Sequence, residues 1–169
     1  MEVISDPTLA GYNCHLSYNE ATVFVGNMIY ADDWKAAGET QQKRALITAT
    51  LLLDRYVNWY GKRTLATQQP AWPRSEVQIP DLPADTHYDK DAVPENIKYI
   101  TVEYANALLA EDITASQSTG IRSLRVDVIS INFDKYDRKE AMPDGVKLVC
   151  NKLGNVTLNN ASVARLVRA

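Results

Sequence analysis

The chain has 169 residues, a length that favours one domain built on a single core. With 46% hydrophobic and 23% charged residues, disorder over the whole chain is excluded, and a formal net charge of -3 lacks the basic footprint of an autonomous duplex-DNA binder. No stretch approaches the ~18 apolar residues needed to span a bilayer, and Glu2 and Asp6 stand where a signal peptide carries positive charge, so the expectation is a protein made in a cytosol without a membrane partner.

In chain order the pattern reads as mainly α: a small helical bundle with a β-strand or hairpin excursion and an extended C-terminal tail. The first helix is expected to start at Ser17, because Ser17 and Glu20 have capping-box spacing and can satisfy orphan backbone N–H groups reciprocally. Ala21, Phe24, Val25 and Met28 then share one face. Asp32, Asp33 and Trp34 read as a turn. The second helix is predicted over residues 40–60, with Gly61 placed to stop it. Leu46, Ala49, Leu53, Val57 and Tyr60 form one apolar row on it, and Ala45, Leu52, Tyr56 and Trp59 the next. Two adjacent rows suit a helix buried against several neighbours, leaving Arg44, Thr48, Arg55 and Asn58 for the polar side.

Residues 62–93 read as a long loop holding Pro70, Pro73, Pro80 and Pro83, and loops of this length are often functional. Trp72 is expected to pin it onto the helices. A third helix opens near Pro94, carries Ile97, Ile100, Tyr104 and Leu108 flanked by Ala105 and Leu109, and ends between Glu111 and Thr114. The strand region is 121–134, where Leu124, Val126 and Val128 alternate and so do Ile129, Ile131 and Phe133. The phase shift between Val128 and Ile129 predicts a bulge. A charged loop follows over 135–140, and Pro143-Asp144 opens a short helix through Leu153, ended by Gly154. The chain thus divides into a helical domain, 1–154, and a C-terminal docking tail, 155–169, too short for a core of its own.

The residue inventory offers no constellation for catalysis, so no enzyme is expected. His15 and His87 fall in predicted loops. His15 adjoins Cys14, but sequence neighbours rarely face each other productively and no third group orients them. Surface or packing roles are expected for both histidines, and idle thiols for Cys14 and Cys150. There is no HxxxH, CxxC or EF-hand pattern, and Asp81, Asp85, Asp89 and Asp91 read as a solvated acidic loop, so no metal is expected. No phosphate-binding glycine motif occurs and no cofactor is expected. One cluster has binding character: Trp59, Tyr60, Lys62, Arg63, Trp72 and Arg74. Stacking aromatics flanked by cations can hold single-stranded DNA. The competing reading packs Trp59 and Trp72 in the core and leaves the basic residues solvated.

The same segment carries a resemblance. Ala45-Leu46-Ile47-Thr48-Ala49-Thr50-Leu51-Leu52-Leu53-Asp54-Arg55 precedes Trp59-Tyr60-Gly61-Lys62-Arg63-Thr64, and Gln69-Pro70-Ala71-Trp72-Pro73-Arg74 follows. Val93-Pro94-Glu95-Asn96-Ile97-Lys98 and the final Ser162-Val163-Ala164-Arg165-Leu166-Val167-Arg168 complete the pattern. In this order the motifs resemble a tailed-phage head-tail adaptor (connector, head-completion) family that is also labelled DnaT-like ssDNA-binding protein. Residues 136–142 depart from its pattern. The adaptor label implies a structural virion protein at the head-tail interface, made in the host cytoplasm and assembled as a dodecameric ring. Its partners would be the portal protein, a tail-side connector or terminator protein, its own copies, and genomic DNA passing through the channel without sequence-specific binding. Val163, Arg165, Leu166, Val167 and Arg168 would dock on a partner. The other label implies a replication accessory that contacts single-stranded DNA through Trp59, Lys62, Arg63, Trp72 and Arg74.

Overall fold

The computed structural model describes residues 2–111, 123–126, 129–132 and 141–157. At its centre, α3 (Glu39–Tyr56) packs against α4 (Glu95–Ala110). Around this pair lie α1 (Tyr18–Gly26), the short α2 (Asp32–Ala36) and α5 (Asp144–Leu153). Three antiparallel strand pairs complete the architecture: β1 (Val57–Trp59) with β6 (Gly154–Val156), β2 (Lys62–Arg63) with β3 (Arg74–Ser75), and β4 (Ser123–Val126) with β5 (Ile129–Asn132). Helix dominates the regular structure of the described residues.

The core follows the apolar rows. Leu46, Ala49 and Leu53 of α3 meet Ile97, Ile100 and Tyr104 of α4, closed by Ala21 and Val25 of α1 and by Val146, Cys150 and Leu153 of α5. Each large apolar side chain buried this way contributes about 1.5–3 kcal/mol. Both cysteines are buried and free. The capping box of α1 forms as expected: the Glu20 backbone N–H donates to Ser17 Oγ (3.3 Å) and the Ser17 backbone N–H to Glu20 Oε2 (2.8 Å). Glu20 also pairs with Lys98 of α4 (2.7 Å), which ties the start of α1 to that helix.

Two expectations are corrected. Asp32 to Trp34 begin a helical turn, α2, rather than leading out of a helix. The second helix stops at Tyr56, not Tyr60. Val57 to Trp59 leave it as a strand because the segment after α5 supplies backbone partners: Val57 pairs with Val156, Asn58 with Asn155 and Trp59 with Gly154. Val126 pairs with Ile129, and the bulge expected between Val128 and Ile129 falls on a stretch that lies outside the described residues. Strand β6 spans the expected boundary at 154 and pairs with β1. Residues 158–169, with Val163, Arg165, Leu166, Val167 and Arg168, lie outside the described residues.

The long loop is built rather than loose. Trp72 is buried as expected, the Trp72-Pro73 bond is cis, β2 pairs with β3, and Gln78 bridges to His87. Gly61 makes the hairpin possible. Its φ is +67°, and a Cβ there would lie 2.2 Å from the Ser75 carbonyl oxygen. Gly61→Ala should therefore destabilise the protein by about 1–3 kcal/mol, combining backbone strain with overpacking against main chain. Urea unfolding measures this directly, and an unchanged midpoint would contradict the close approach.

Candidate nucleic-acid interface

The segment from Asp54 to Ser75 is organised by two charged side chains. Asp54 lies in the last turn of α3. Its Oδ1 accepts from Trp59 Nε1 (3.2 Å) and its Oδ2 from the Ala71 backbone N–H (2.7 Å). One carboxylate thus joins the helix exit to the far side of the loop. Arg74 closes the same circuit from the opposite end. Its Nε donates to the Tyr60 carbonyl (2.7 Å), Nη2 to those of Gly61 (2.8 Å) and Trp59 (3.3 Å), and Nη1 to that of Ala71 (3.2 Å). Gln68, also buried, donates to the Pro70 and Pro73 carbonyls, both at 3.0 Å.

The indoles pack between these two groups. Trp59 and Trp72 meet edge to face at 5.7 Å between centroids, and Tyr88 meets Trp72 the same way at 6.3 Å. Such pairs add about 0.5–1.5 kcal/mol beyond their buried area. Tyr12 anchors the stack by donating to the Trp72 carbonyl (2.9 Å).

Behind Asp54 sits His15, fully buried between α3 and α4. Thr101 Oγ1 donates to the Ile97 carbonyl (2.8 Å), so it accepts from His15 Nδ1 (3.1 Å). That assigns the neutral ring's proton to Nδ1. Nε2 is left without a hydrogen-bond partner, 3.8 Å from Asp54 Oδ1. Burial lowers the His15 pKa below its usual value, and the nearby Asp54 charge only partly offsets this.

The residues expected to form a stacking platform are therefore brought together in space and separated by depth. Trp72 is 0% exposed and Trp59 9%, so neither offers a face to a base. That corrects their assignment as DNA-stacking residues: their rings are committed to the core and to each other. Arg74, at 9% exposure, is committed to carbonyl oxygens instead of phosphates. Lys62 and Arg63 stay at the surface, Lys62 paired with Glu76 (2.9 Å) and Arg63 reaching the Gln68 carbonyl (3.3 Å). Within this cluster the exposed aromatic is Tyr60, 47% accessible, expected in the apolar row of a helix but facing outward in the bend that follows β1. Asn58 and Asn155 are exposed on the same strand pair, directly opposite one another. Sequence reading missed both, because their juxtaposition depends on a strand pairing between residues far apart in the chain.

Elsewhere the described residues include no group of His, Cys, Asp or Glu arranged to hold a metal ion. None of their helices is long and apolar enough to cross a membrane.

Fold and surface together describe a small α-rich protein whose buried polar groups hold one loop rigid and leave an aromatic, two amides and two cations at its edge. The chain belongs to the family described as "Putative DnaT-like ssDNA binding protein", whose model matches residues 2–169. Of the two labels that the motifs suggested, this match carries the DNA-binding one. Comparison with curated proteins returned no match, and neither did comparison with solved structures.

The buried histidine sets a pH dependence. With its folded pKa below the unfolded value of 6.5, the unfolded chain takes up this proton first as pH falls. Stability from this group is full above pH 6.5 and is lost as pH falls from there towards the lowered folded value. The slope should approach about 1.4 kcal/mol per pH unit. Urea unfolding between neutral and mildly acidic pH should show this loss, and His15→Leu should flatten it. A wild-type profile already flat there would refute the assignment.

Proposed function

We propose that this protein binds single-stranded DNA as a phage replication accessory, the second of the two functions that the motif resemblance implies. The observation that carries the reading is the family match across residues 2–169, which extends over the helical body and through the C-terminal residues. The local chemistry supports it. Lys62 and Arg63 can meet phosphates, and the neighbouring exposed Tyr60 offers a ring for stacking, which is sequence-tolerant because every base has a π-face. The net charge of -3 favours a weak, local electrostatic contact over broad attraction to duplex. Fluorescence anisotropy should therefore show a labelled oligothymidylate binding more tightly than a duplex of the same length, with affinity falling as salt rises. No single-strand binding at low salt, or equal affinity for duplex, would sink the proposal.

A second reading, the head-tail adaptor, is favoured by a different observation. Ile29 and Tyr30, each 85% exposed, and Val23 of α1 present apolar side chains to solvent beside α2. A ring subunit would cover such side chains against its own copies, the portal protein or a tail-side connector, with its docking tail reaching the neighbour. Cryo-electron microscopy of tailed-phage particles carrying the gene would test it. On this second reading ring density for this chain lies between portal and tail, and its absence from the particle would discard the adaptor.

A further inference from the structure

We propose that the β1–β2 turn and the facing residue of β6 form the contact surface for single-stranded DNA, with a base stacked on Tyr60, the Asn58 and Asn155 amides at its edge, and Lys62 and Arg63 on the backbone phosphates. The proposal rests on the DNA-binding reading above and assigns it residues. Along β1 Val57 and Trp59 are buried while Asn58 faces outward, and Tyr60, in the bend that follows the strand, is exposed. Across the ladder, Asn155 opposes Asn58 and is also exposed. Tyr60 donates its hydroxyl to Asn155 Oδ1 (3.3 Å), so the ring is steered at its polar end while its surface stays open.

The backbone beneath the ring is held on both sides. The Tyr60 N–H donates to the Leu153 carbonyl (3.0 Å), and the Tyr60 carbonyl accepts from Arg74 Nε (2.7 Å). A platform already fixed loses little conformational freedom on binding. Arg74 is thus a positioning residue that acts through the main chain. The exposed groups match the base and the phosphates of a nucleotide. A ring takes the base face, carboxamides offer donors and acceptors to the base edge, and two cations follow within three residues along the chain. Stacking on Tyr60 requires an unstacked base, which selects single strand over duplex.

Glu76 opposes this surface. Its carboxylate binds Lys62 at 2.9 Å, with both side chains largely exposed, so an incoming phosphate competes with it. The competition supplies a test that misfolding cannot imitate: Glu76→Gln should raise affinity for oligothymidylate about two- to fivefold. Tyr60→Ala should lower it about tenfold or more while Tyr60→Phe keeps most of it, because stacking needs the ring and not the hydroxyl. Replacing both Lys62 and Arg63 by alanine should make the log-affinity against log-salt slope shallower by about 1.4, at roughly 0.7 per phosphate contact on a single strand. Anisotropy titrations on variants with wild-type thermal unfolding decide between outcomes. Wild-type binding that survives Tyr60→Ala within twofold, with an unchanged salt slope in the double variant, would overturn this surface and leave the DNA-binding reading standing. Absence of binding by the wild-type protein would overturn both.

Discussion

A guanidinium withdrawn from water must place its N–H donors against acceptors, and Arg74 places them on four carbonyls contributed by Trp59, Tyr60, Gly61 and Ala71. Much of this end of the molecule depends on that requirement. The four carbonyls lie on both limbs of the loop, so satisfying one side chain draws the helix exit and the returning chain together. Lysine could not substitute, because its three donors sit on a single nitrogen and cannot span the same acceptors. Arg63 lies close enough to disfavour the Arg74 charge further, and Asp54 on the other side partly offsets this. The hub is a balance of burial, repulsion and hydrogen bonding, and its hydrogen bonds hold it in place.

Asp54 extends the same logic into the core. Its carboxylate accepts from the Trp59 indole and the Ala71 backbone while facing the unprotonated nitrogen of His15. The helix pair and the loop therefore share one polar centre, wrapped by the Trp59, Trp72 and Tyr88 rings. Two buried nitrogens there, His15 Nε2 and Trp72 Nε1, have no hydrogen-bond partner. Each costs about 1–3 kcal/mol, which the surrounding apolar packing has to offset. Burying the indoles in this way makes the loop a rigid extension of the helical body, so that surface groups carried by it are presented in a fixed arrangement.

That rigidity joins the fold to the proposed function. A protein whose acidic residues outnumber its basic ones gains little from long-range attraction to nucleic acid, so affinity has to come from well-placed short-range contacts. The residues of the motif segment divide accordingly. Trp59, Trp72 and Arg74 build the support, and Tyr60, Lys62 and Arg63 occupy its outer edge. Strand alternation accounts for part of this division, sending Val57 and Trp59 inward and Asn58 outward.

Local chemistry determined much of this protein from the sequence by itself. The Ser17 capping box, the apolar rows of α3 and α4, the end of α5 at Gly154 and a helix-rich body all follow from spacings within a few residues. Tertiary structure alone decided where α3 ends, because Val57 to Trp59 could continue the helical pattern and leave it only to pair with residues 154–156. It also decided which members of the aromatic and basic cluster face solvent. Composition places Trp59, Tyr60, Lys62, Arg63, Trp72 and Arg74 in one segment, but their depth is set by partners elsewhere: Asp54 for one indole, backbone carbonyls for the arginine, Asn155 for the tyrosine. Helical and strand periodicities are encoded by near neighbours and can be read along the chain. Burial of an amphipathic side chain depends on which distant groups satisfy its polar atoms, and that is settled only when the chain has closed on itself.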